Sequence, residues 1–133
     1  MIYLVDTNIW LERLLEQEKN LYVKKFLDQV PSELLCISDF SLHSIAVILF
    51  KHKKYDIFEK FINDIFHENE ISVISIPSKS LNQLSKISVT YGLDLDDAYQ
   101  YWIAKNCNLI LVSYDKDFDR TDLKVKTPEE ILQ

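Results

Sequence analysis

Four short, largely apolar segments recur along the chain, and each is followed by a helical pattern or a polar loop. The segments are IYLV (2–5), ELLCIS (33–38), ISVISI (71–76) and LILVS (109–113). Strands that are apolar at successive positions are typical of a parallel sheet covered by helices on both faces. Strands that alternate with helices form βαβ units. The sequence therefore predicts an α/β fold, a three-layer α/β/α sandwich around a mostly parallel sheet of four to five strands.

The remaining elements follow from helical spacing, Pro and Gly positions. One predicted helix starts at Thr7, and five more span 20–30, 41–54, 55–70, 80–92 and 94–107. A short strand is predicted at 123–127 and a last helical turn at 128–132. We find no internal repeat, no low-complexity segment and no domain boundary. A chain of 133 residues is long enough to bury a core of its own. We expect a single domain over residues 1–133.

The composition removes several classes of function. A single glycine rules out a glycine-rich phosphate-binding loop. The longest apolar stretch, IAVILF (45–50), is too short to cross a bilayer, and two cysteines do not make a disulfide framework. We therefore expect a cytoplasmic protein with no membrane attachment. The net charge of −6 is unusual for a protein that binds phosphates directly, unless its acids hold a cation.

Acidic residues follow the predicted strands. Asp6 comes directly after the first strand, Asp115 lies two residues past the fourth, and Asp97 opens the helix that leads into the fourth. In a parallel sheet, functional residues gather at the carboxyl ends of the strands. Carboxylates that meet there repel one another unless a cation lies among them, and oxygen ligands favour Mg²⁺ or Mn²⁺. Such ions activate water and stabilise the charge on a phosphodiester.

A simpler interpretation remains open for each of these acids. An Asp after a strand is commonly a helix N-cap or a turn former, which applies to Asp6 about as well as a metal-binding role does. Asp94 is expected to be an N-cap, and Asp39 and Asp117 are expected to be solvated. The position of each carboxylate in the fold has to decide between these interpretations.

Three stretches together resemble the PIN domain family, and more narrowly the VapC toxins of bacterial and archaeal toxin–antitoxin pairs. They are VDTNIW (5–10), LDLDDAYQYWIA (93–104) and LILVSYDKDF (109–118). The resemblance covers the whole chain in order and spacing. It implies a ribonuclease that uses water held by Mg²⁺ or Mn²⁺ to cut RNA phosphodiesters. It also implies an antitoxin protein as partner and a homodimer.

The resemblance carries over to individual residues. It implies that Asp6, Asp97 and Asp115 are the catalytic and metal-binding acids. It assigns supporting roles to four residues beside them, which are Thr7, Asn8, Ser113 and Asp117. Of these, Asp117 is implied to be an acid in the outer part of the site.

One position departs from the family pattern. PIN domains carry a second acid in the helix after the second strand, in a pattern close to S-x-x-[ST]-x-x-E. Here Ser38 and Ser41 match, but Ser44 stands where Glu is expected. The missing acid has three possible consequences. The three remaining acids can still hold one metal, Asp39 can supply the missing carboxylate, or the metal site is weakened. The last case gives the alternative function: a degenerate PIN domain that binds RNA or protein without cutting.

Basic residues form one dense cluster, Lys51, Lys53 and Lys54, after the third predicted helix, while Lys116 and Arg120 flank the acidic loop. A lysine-rich helix end is ordinarily solvated and favoured by the helix dipole. We therefore expect the cluster to be a solvated helix end rather than an RNA-binding site.

Overall fold

The computed structural model describes residues 2–132, which form a five-stranded parallel sheet with helices on both faces. The strands are β1 (Tyr3–Val5), β2 (Leu35–Ser38), β3 (Ser72–Ile74), β4 (Ile110–Val112) and β5 (Val125–Lys126). The helices are α1 (Thr7–Leu14), α2 (Asn20–Gln29), α3 (Asp39–Lys51), α4 (Tyr55–Asn63), α5 (Leu84–Tyr91), α6 (Leu95–Asn106) and α7 (Pro128–Ile131). The predicted fold class is confirmed, and every strand pair is parallel.

The sheet order is β3-β2-β1-β4-β5, so the chain builds outward from β1 in both directions. Tyr3 pairs with Leu35 of β2 on one side and with Ile110 of β4 on the other. Where the strand order reverses in this way, the loops after neighbouring strands diverge and leave a crevice at the carboxyl edge. The crevice here lies beyond the ends of β1 and β4, where Asp6 and Ser113 follow.

Alternation along the strands buries two separate cores. Leu4 and Leu111 point toward the layer of α5 and α6, whereas Val5 and Val112 point toward the layer of α1 to α4 and α7. All four side chains are fully buried. Because both faces of the sheet are covered at the three inner strands, β1, β2 and β4 have no solvent-exposed face, which explains their largely apolar pattern.

Three predicted helices differ from the observed ones at their ends. The helix predicted over 41–54 spans Asp39–Lys51. The helix predicted over 55–70 ends as an α-helix at Asn63 and continues as a π-helical turn, Asp64–Glu68. The helix predicted over 80–92 begins as a 3-10 segment, Ser78–Gln83, before α5. The Ser80 amide bonds to the Pro77 carbonyl, and this tighter hydrogen-bond spacing is frequent at helix starts.

The link between α5 and α6 positions the start of α6. Gly92 ends α5 with a φ of +66°, a conformation that glycine adopts without strain. Asp94 then caps α6, and its Oδ1 accepts a hydrogen bond from the Asp97 amide at 3.0 Å. The predicted N-cap is confirmed. It places Asp97 in the first turn of α6, at the carboxyl edge of the sheet.

No helix within residues 2–132 has the length and apolar character needed to cross a membrane. The single domain over residues 1–133 stays a prediction.

Candidate metal centre

Three carboxylates meet at the crevice. Asp97, Asp115 and Asp117 each present an oxygen within 4.8 Å of the other two. Asp97 is buried in the first turn of α6. Asp115 is half-buried and caps the 3-10 turn after β4 by accepting a hydrogen bond from the Asp117 amide at 2.9 Å. We call these three residues the acid group.

Asp6 lies beside the acid group without belonging to it, and its carboxylate is surrounded by donors. Oδ1 accepts hydrogen bonds from the Thr7 amide at 2.9 Å and from Gln100 Nε2 at 2.8 Å. Oδ2 accepts from Asn8 Nδ2 at 3.1 Å and from the Ser113 hydroxyl at 2.6 Å. The residue is 5% exposed and is also the N-cap of α1. Both roles weighed from the sequence, cap and site acid, are thus compatible with its position.

Asn8 and Ser113 join the end of β1 to the segment after β4. Ser113 Oγ accepts hydrogen bonds from the Asp115 amide at 3.0 Å and from Asn8 Nδ2 at 3.2 Å. Asn8 Oδ1 accepts from the Tyr114 amide at 3.2 Å. These bonds tie Asp6 to Asp115 through a shared hydroxyl, so the two carboxylates are held in a defined relation.

The electrostatics of the site are dominated by negative charge. Burial, followed in order of size by the neighbouring carboxylates of Asp115, Asp94, Asp6 and Asp117, raises the pKa of Asp97 to about 8. Burial also raises the pKa of Asp6, although hydrogen bonds from Ser113, Gln100 and Thr7 oppose this effect. The site thus concentrates carboxyl groups that resist ionisation until their charge is balanced.

Within residues 2–132, one cation forms an ion pair with the acid group. Arg120 Nη1 lies 3.6 Å from Asp117 Oδ1, and both side chains are about half exposed. Such an exposed pair is screened by solvent and compensates little of the charge at the buried Asp97.

The first turns of α3 contribute hydroxyls instead of a second acid. Ser38 caps α3 by accepting from the Ser41 amide at 2.9 Å. Ser41 Oγ accepts hydrogen bonds from Thr7 Oγ1 at 2.7 Å and from Gln100 Nε2 at 3.0 Å. Ser44, one turn later, is half-buried and lines an open groove of about 460 Å³ together with Asp96.

Asp39 makes other contacts. Its Oδ1 accepts a hydrogen bond from the Tyr99 hydroxyl at 2.7 Å and from the Phe40 amide at 2.9 Å. It is not a member of the acid group, so the described residues bring no α3 carboxylate into that group.

Two residues at the site were not expected there from the sequence. Asp117, predicted to be solvated or an acid in the outer part of the site, is exposed and belongs to the acid group. Ser41 and Gln100 received no role, although both are buried and contact other site residues. The signal for Gln100 is a polar residue inside the apolar run AYQYWIA, three positions after Asp97. That spacing places two side chains on one side of a helix.

The basic residues lie at different distances from the acids. Lys116 and Lys126 line a small cavity of about 40 Å³ that Asp115 and Ser113 also line. Lys53 and Lys54 follow the C-terminal end of α3, whereas the site contacts the N-terminal end of that helix. At 1.5 Å per residue, the 13 residues of α3 separate its ends by about 20 Å.

The residues at the crevice fit a hard divalent cation. The acid group offers only carboxylate oxygens, the ligands that Mg²⁺ and Mn²⁺ prefer, and no His or Cys belongs to it. A second indication is Gln100 Oε1, a buried oxygen with no hydrogen-bond partner among the described residues. Buried polar atoms without a partner are rare in native folds, so each one requires a physical explanation.

Comparisons with known proteins place this arrangement in context. The sequence model of the PIN domain matches residues 3–124. Among curated proteins, no sequence matches the chain. A toxin–antitoxin complex from Klebsiella pneumoniae contains a similar fold, with a TM-score of 0.74 and 24% identity over 95% of this chain and 97% of that one.

Two further structures share the fold at lower identity. VapC20 from Mycobacterium tuberculosis, a toxin that cleaves the sarcin-ricin loop, has a TM-score of 0.76 and 13% identity, covering 91% of this chain and 95% of its own. FitAcB from Neisseria gonorrhoeae has a TM-score of 0.75 and 22% identity, covering 96% of this chain and 99% of its own. At these identities the likeness establishes the fold. The match to the family model confirms the resemblance deduced from the three sequence stretches.

Proposed function

The chain belongs to the PIN domain family, and on that premise we propose that it is a metal-dependent endoribonuclease and the toxin of a toxin–antitoxin pair. The observation that carries the proposal is the acid group, with three carboxylate oxygens within 4.8 Å of one another beside the buried Asp6. Carboxylates this close together repel one another and destabilise the fold, and a bound cation removes that repulsion. The substrate implied by the family is RNA.

In this proposal Asp97, Asp115 and Asp117 hold one Mg²⁺ or Mn²⁺ ion, and Asp6 lies beside them as the fourth acid. When bound, the ion supplies activation of water and stabilisation of the negative charge that develops on the phosphodiester. The residues of the chain provide the ligands and their orientation.

Orientation comes from the donors around Asp6. Asn8 and Ser113 each donate to Asp6 Oδ2, and Ser113 Oγ also accepts from the Asp115 amide. Hydrogen bonds of this kind fix the direction in which carboxylates present their oxygens, and their loss commonly weakens metal binding. Thr7 supports the same arrangement through its amide bond to Asp6 and its hydroxyl bond to Ser41.

Cleavage of RNA by the purified chain tests the proposal. A labelled pool of total RNA or tRNA is incubated with Mn²⁺ and, separately, with EDTA. We expect cleavage with Mn²⁺ only, and loss of cleavage in Asp6→Asn and in Asp97→Asn. Asp97→Asn is the better variant for retaining the fold, since burial already favours the uncharged form of this side chain and an amide is uncharged. Asp56→Asn, at an exposed acid on α4, is the matched control and should cut as the wild type does.

Two results would contradict the proposal. Cleavage that persists in EDTA would show that no metal is needed. RNA binding in EDTA with no cleavage in any condition would identify a degenerate PIN domain, in which Ser44 has replaced the second acid and the chain binds without turnover.

The proposal includes protein partners as well as a cytoplasmic location. Similar folds occur in a toxin–antitoxin complex, which supports an antitoxin as one partner. Val47 and Phe50 of α3 are apolar and 68% and 51% exposed, and in this proposal a protein partner covers them. We expect a homodimer, and light scattering should report twice the chain mass of 15.7 kDa. A mass of one chain at micromolar concentration would exclude it.

A further inference from the structure

Gln100 is a buried amide next to the acid group. It lies on α6, three residues after Asp97, and is 3% exposed. Its neighbours in the helix, Tyr99 and Tyr101, are aromatic and pack in the core on that side of the sheet. A long polar side chain at such a position needs a reason, because burying an amide is costly unless its hydrogen bonds are made.

The amide nitrogen bridges three elements. Nε2 donates to Asp6 Oδ1 at 2.8 Å and to Ser41 Oγ at 3.0 Å, so α6 is joined to the starts of α1 and α3. An ionised carboxylate only accepts hydrogen bonds, which requires the nitrogen of the amide to face Asp6. A hydrogen bond to a charged partner is about twice as strong as one between neutral groups. Asp6 therefore sets the orientation of Gln100.

This orientation leaves the amide oxygen unsatisfied. Gln100 Oε1 is buried and has no hydrogen-bond partner among residues 2–132. An unpaired buried acceptor destabilises a fold, and an apolar side chain of similar length would avoid that cost. The unpaired oxygen offsets part of the stability that the two donated hydrogen bonds provide, and the contact with Asp6 is the feature that an apolar side chain could not replace.

The role of Gln100 is connected to the serine at position 44. Because α3 adds no carboxylate to the acid group, the hydrogen-bond donors around Asp6 must orient the site carboxylates without the help of a second acid. Gln100 is the donor from α6, the helix that also carries Asp97. A neutral amide orients a carboxylate without adding to the repulsion within the acid group.

We propose that Gln100 is a positioning residue, whose amide orients the Asp6 carboxylate beside the acid group so that a divalent cation binds without an acid at position 44. The inference rests on the proposed metal-dependent function. It concerns metal binding, however, and can be measured without RNA.

Gln100→Met tests the inference, since methionine has a similar length and no donor. The matched control is Gln83→Met: Gln83 Oε1 accepts a hydrogen bond from Trp102 Nε1 of the same helix at 2.7 Å, and Gln83 is exposed. Three quantities are measured on each protein. They are the Mn²⁺ affinity from the spin-resonance signal of free Mn²⁺, the melting temperature in EDTA, and kcat and KM for RNA.

We expect Gln100→Met to lower the Mn²⁺ affinity by about 10- to 100-fold, the usual effect of losing a group that orients a metal ligand. Its melting temperature in EDTA should change little, because removal of the unpaired oxygen offsets the loss of the bonds to Asp6 and Ser41. The kcat should fall more than KM changes. Gln83→Met should leave the Mn²⁺ affinity unchanged.

The outcomes separate this inference from the proposed function. A lower melting temperature of Gln100→Met with unchanged Mn²⁺ affinity would overturn the inference and show that Gln100 only stabilises the fold. Failure of both Gln100→Met and Gln100→Leu to fold would lead to the same conclusion. Absence of Mn²⁺ binding in the wild type would also overturn it. If the wild type binds Mn²⁺ through Gln100 but cuts no RNA, the proposed nuclease fails while the role of Gln100 stands.

Discussion

Asp97 and Asp115 bring carboxylate oxygens within 4.8 Å of each other, although one lies at the start of α6 and the other follows β4. Burial raises the pKa of Asp97 to about 8, and Asp115 is the next largest cause. The pair is therefore a source of instability in the protein without a bound cation and a source of affinity for one. The predictions below follow from this relationship and from the residues around it.

The stability of the cation-free protein should fall as the pH rises. The folded state holds the Asp97 proton up to a pKa of about 8, whereas the ordinary pKa of an aspartate is 3.8, so between these pH values the unfolded state binds fewer protons. The contribution of Asp97 to stability is thus fully present below pH 3.8 and is lost as the pH approaches 8. Thermal unfolding in EDTA across this range measures the effect.

Asp97→Asn should remove much of this pH dependence and raise the melting temperature at pH 8 by about 4 °C or more. Asp119→Asn, at an exposed acid outside the acid group, is the control and should follow the wild-type curve. Saturating Mn²⁺ should stabilise the wild type at pH 8 and not Asp97→Asn. Parallel curves for the wild type and Asp97→Asn would show that Asp97 ionises freely.

Asp117 should contribute to cation binding although it is exposed, because its oxygen belongs to the acid group. We expect Asp117→Asn to weaken Mn²⁺ binding about tenfold, within the range reported for groups around metal sites. Asp119 lies two residues later in the same 3-10 turn, so Asp119→Asn removes the same charge nearby. Equal effects of the two variants in calorimetric titrations would mean that Asp117 acts only through net charge.

Ser44→Glu should raise the affinity for Mn²⁺ by restoring the acid that the family pattern has on α3. Ser44 is half-buried one turn after Ser41, which contacts Thr7 and Gln100 at the site. Val47→Glu adds the same charge to the same helix at a side chain that is 68% exposed, and it should have a smaller effect. Titration calorimetry decides: unchanged or weaker binding in Ser44→Glu would argue against the placement of the second acid at this position.

Lys116 and Lys126 should contribute more to RNA binding than the cluster after α3. They line the same cavity as Asp115, whereas Lys53 and Lys54 follow the far end of α3. Each phosphate contact contributes a slope of about −0.7 to the salt dependence of single-strand binding, so removing two lysines should flatten it by about 1.4. Binding measured in EDTA over a series of salt concentrations separates the two pairs.

The double variant Lys53→Ala/Lys54→Ala serves as the comparison, since it removes the same charge from the other end of α3. We expect its slope to equal that of the wild type. The opposite ranking, with the larger change in this variant, would place the path of the RNA along α3 instead.

Much of the fold was predictable because its signals are local. The strands appear as uninterrupted apolar runs since both faces of the sheet are covered, as Leu4 and Val5 show by packing in opposite cores. The N-cap at Asp94 and the end of α5 at Gly92 were also predictable from the sequence, because each depends on a few neighbouring residues. The helix ends near residues 64 and 78 were predicted wrongly, because they depend on hydrogen-bond spacings that periodicity does not resolve.

The candidate site was only partly predictable. Asp97 and Asp115 were expected together from strand order and family pattern, and they do meet. Asp117 lies with them because of the 3-10 turn after β4. The geometry of that turn depends on the cap at Asp115, which sequence periodicity does not predict. Gln100 reaches Asp6 across 94 positions of sequence, and no periodicity relates two residues so far apart.

The sequence by itself determined the parallel α/β architecture and the edge of the sheet at which the acids collect, because the direction of a strand and the residue after it are local properties of the chain. Only the tertiary structure decided which carboxylates come within ion-binding distance and which donors surround Asp6. Those contacts depend on how α3 and α6 dock against the sheet, and a few ångströms of helix position separate a ligand from a solvated acid.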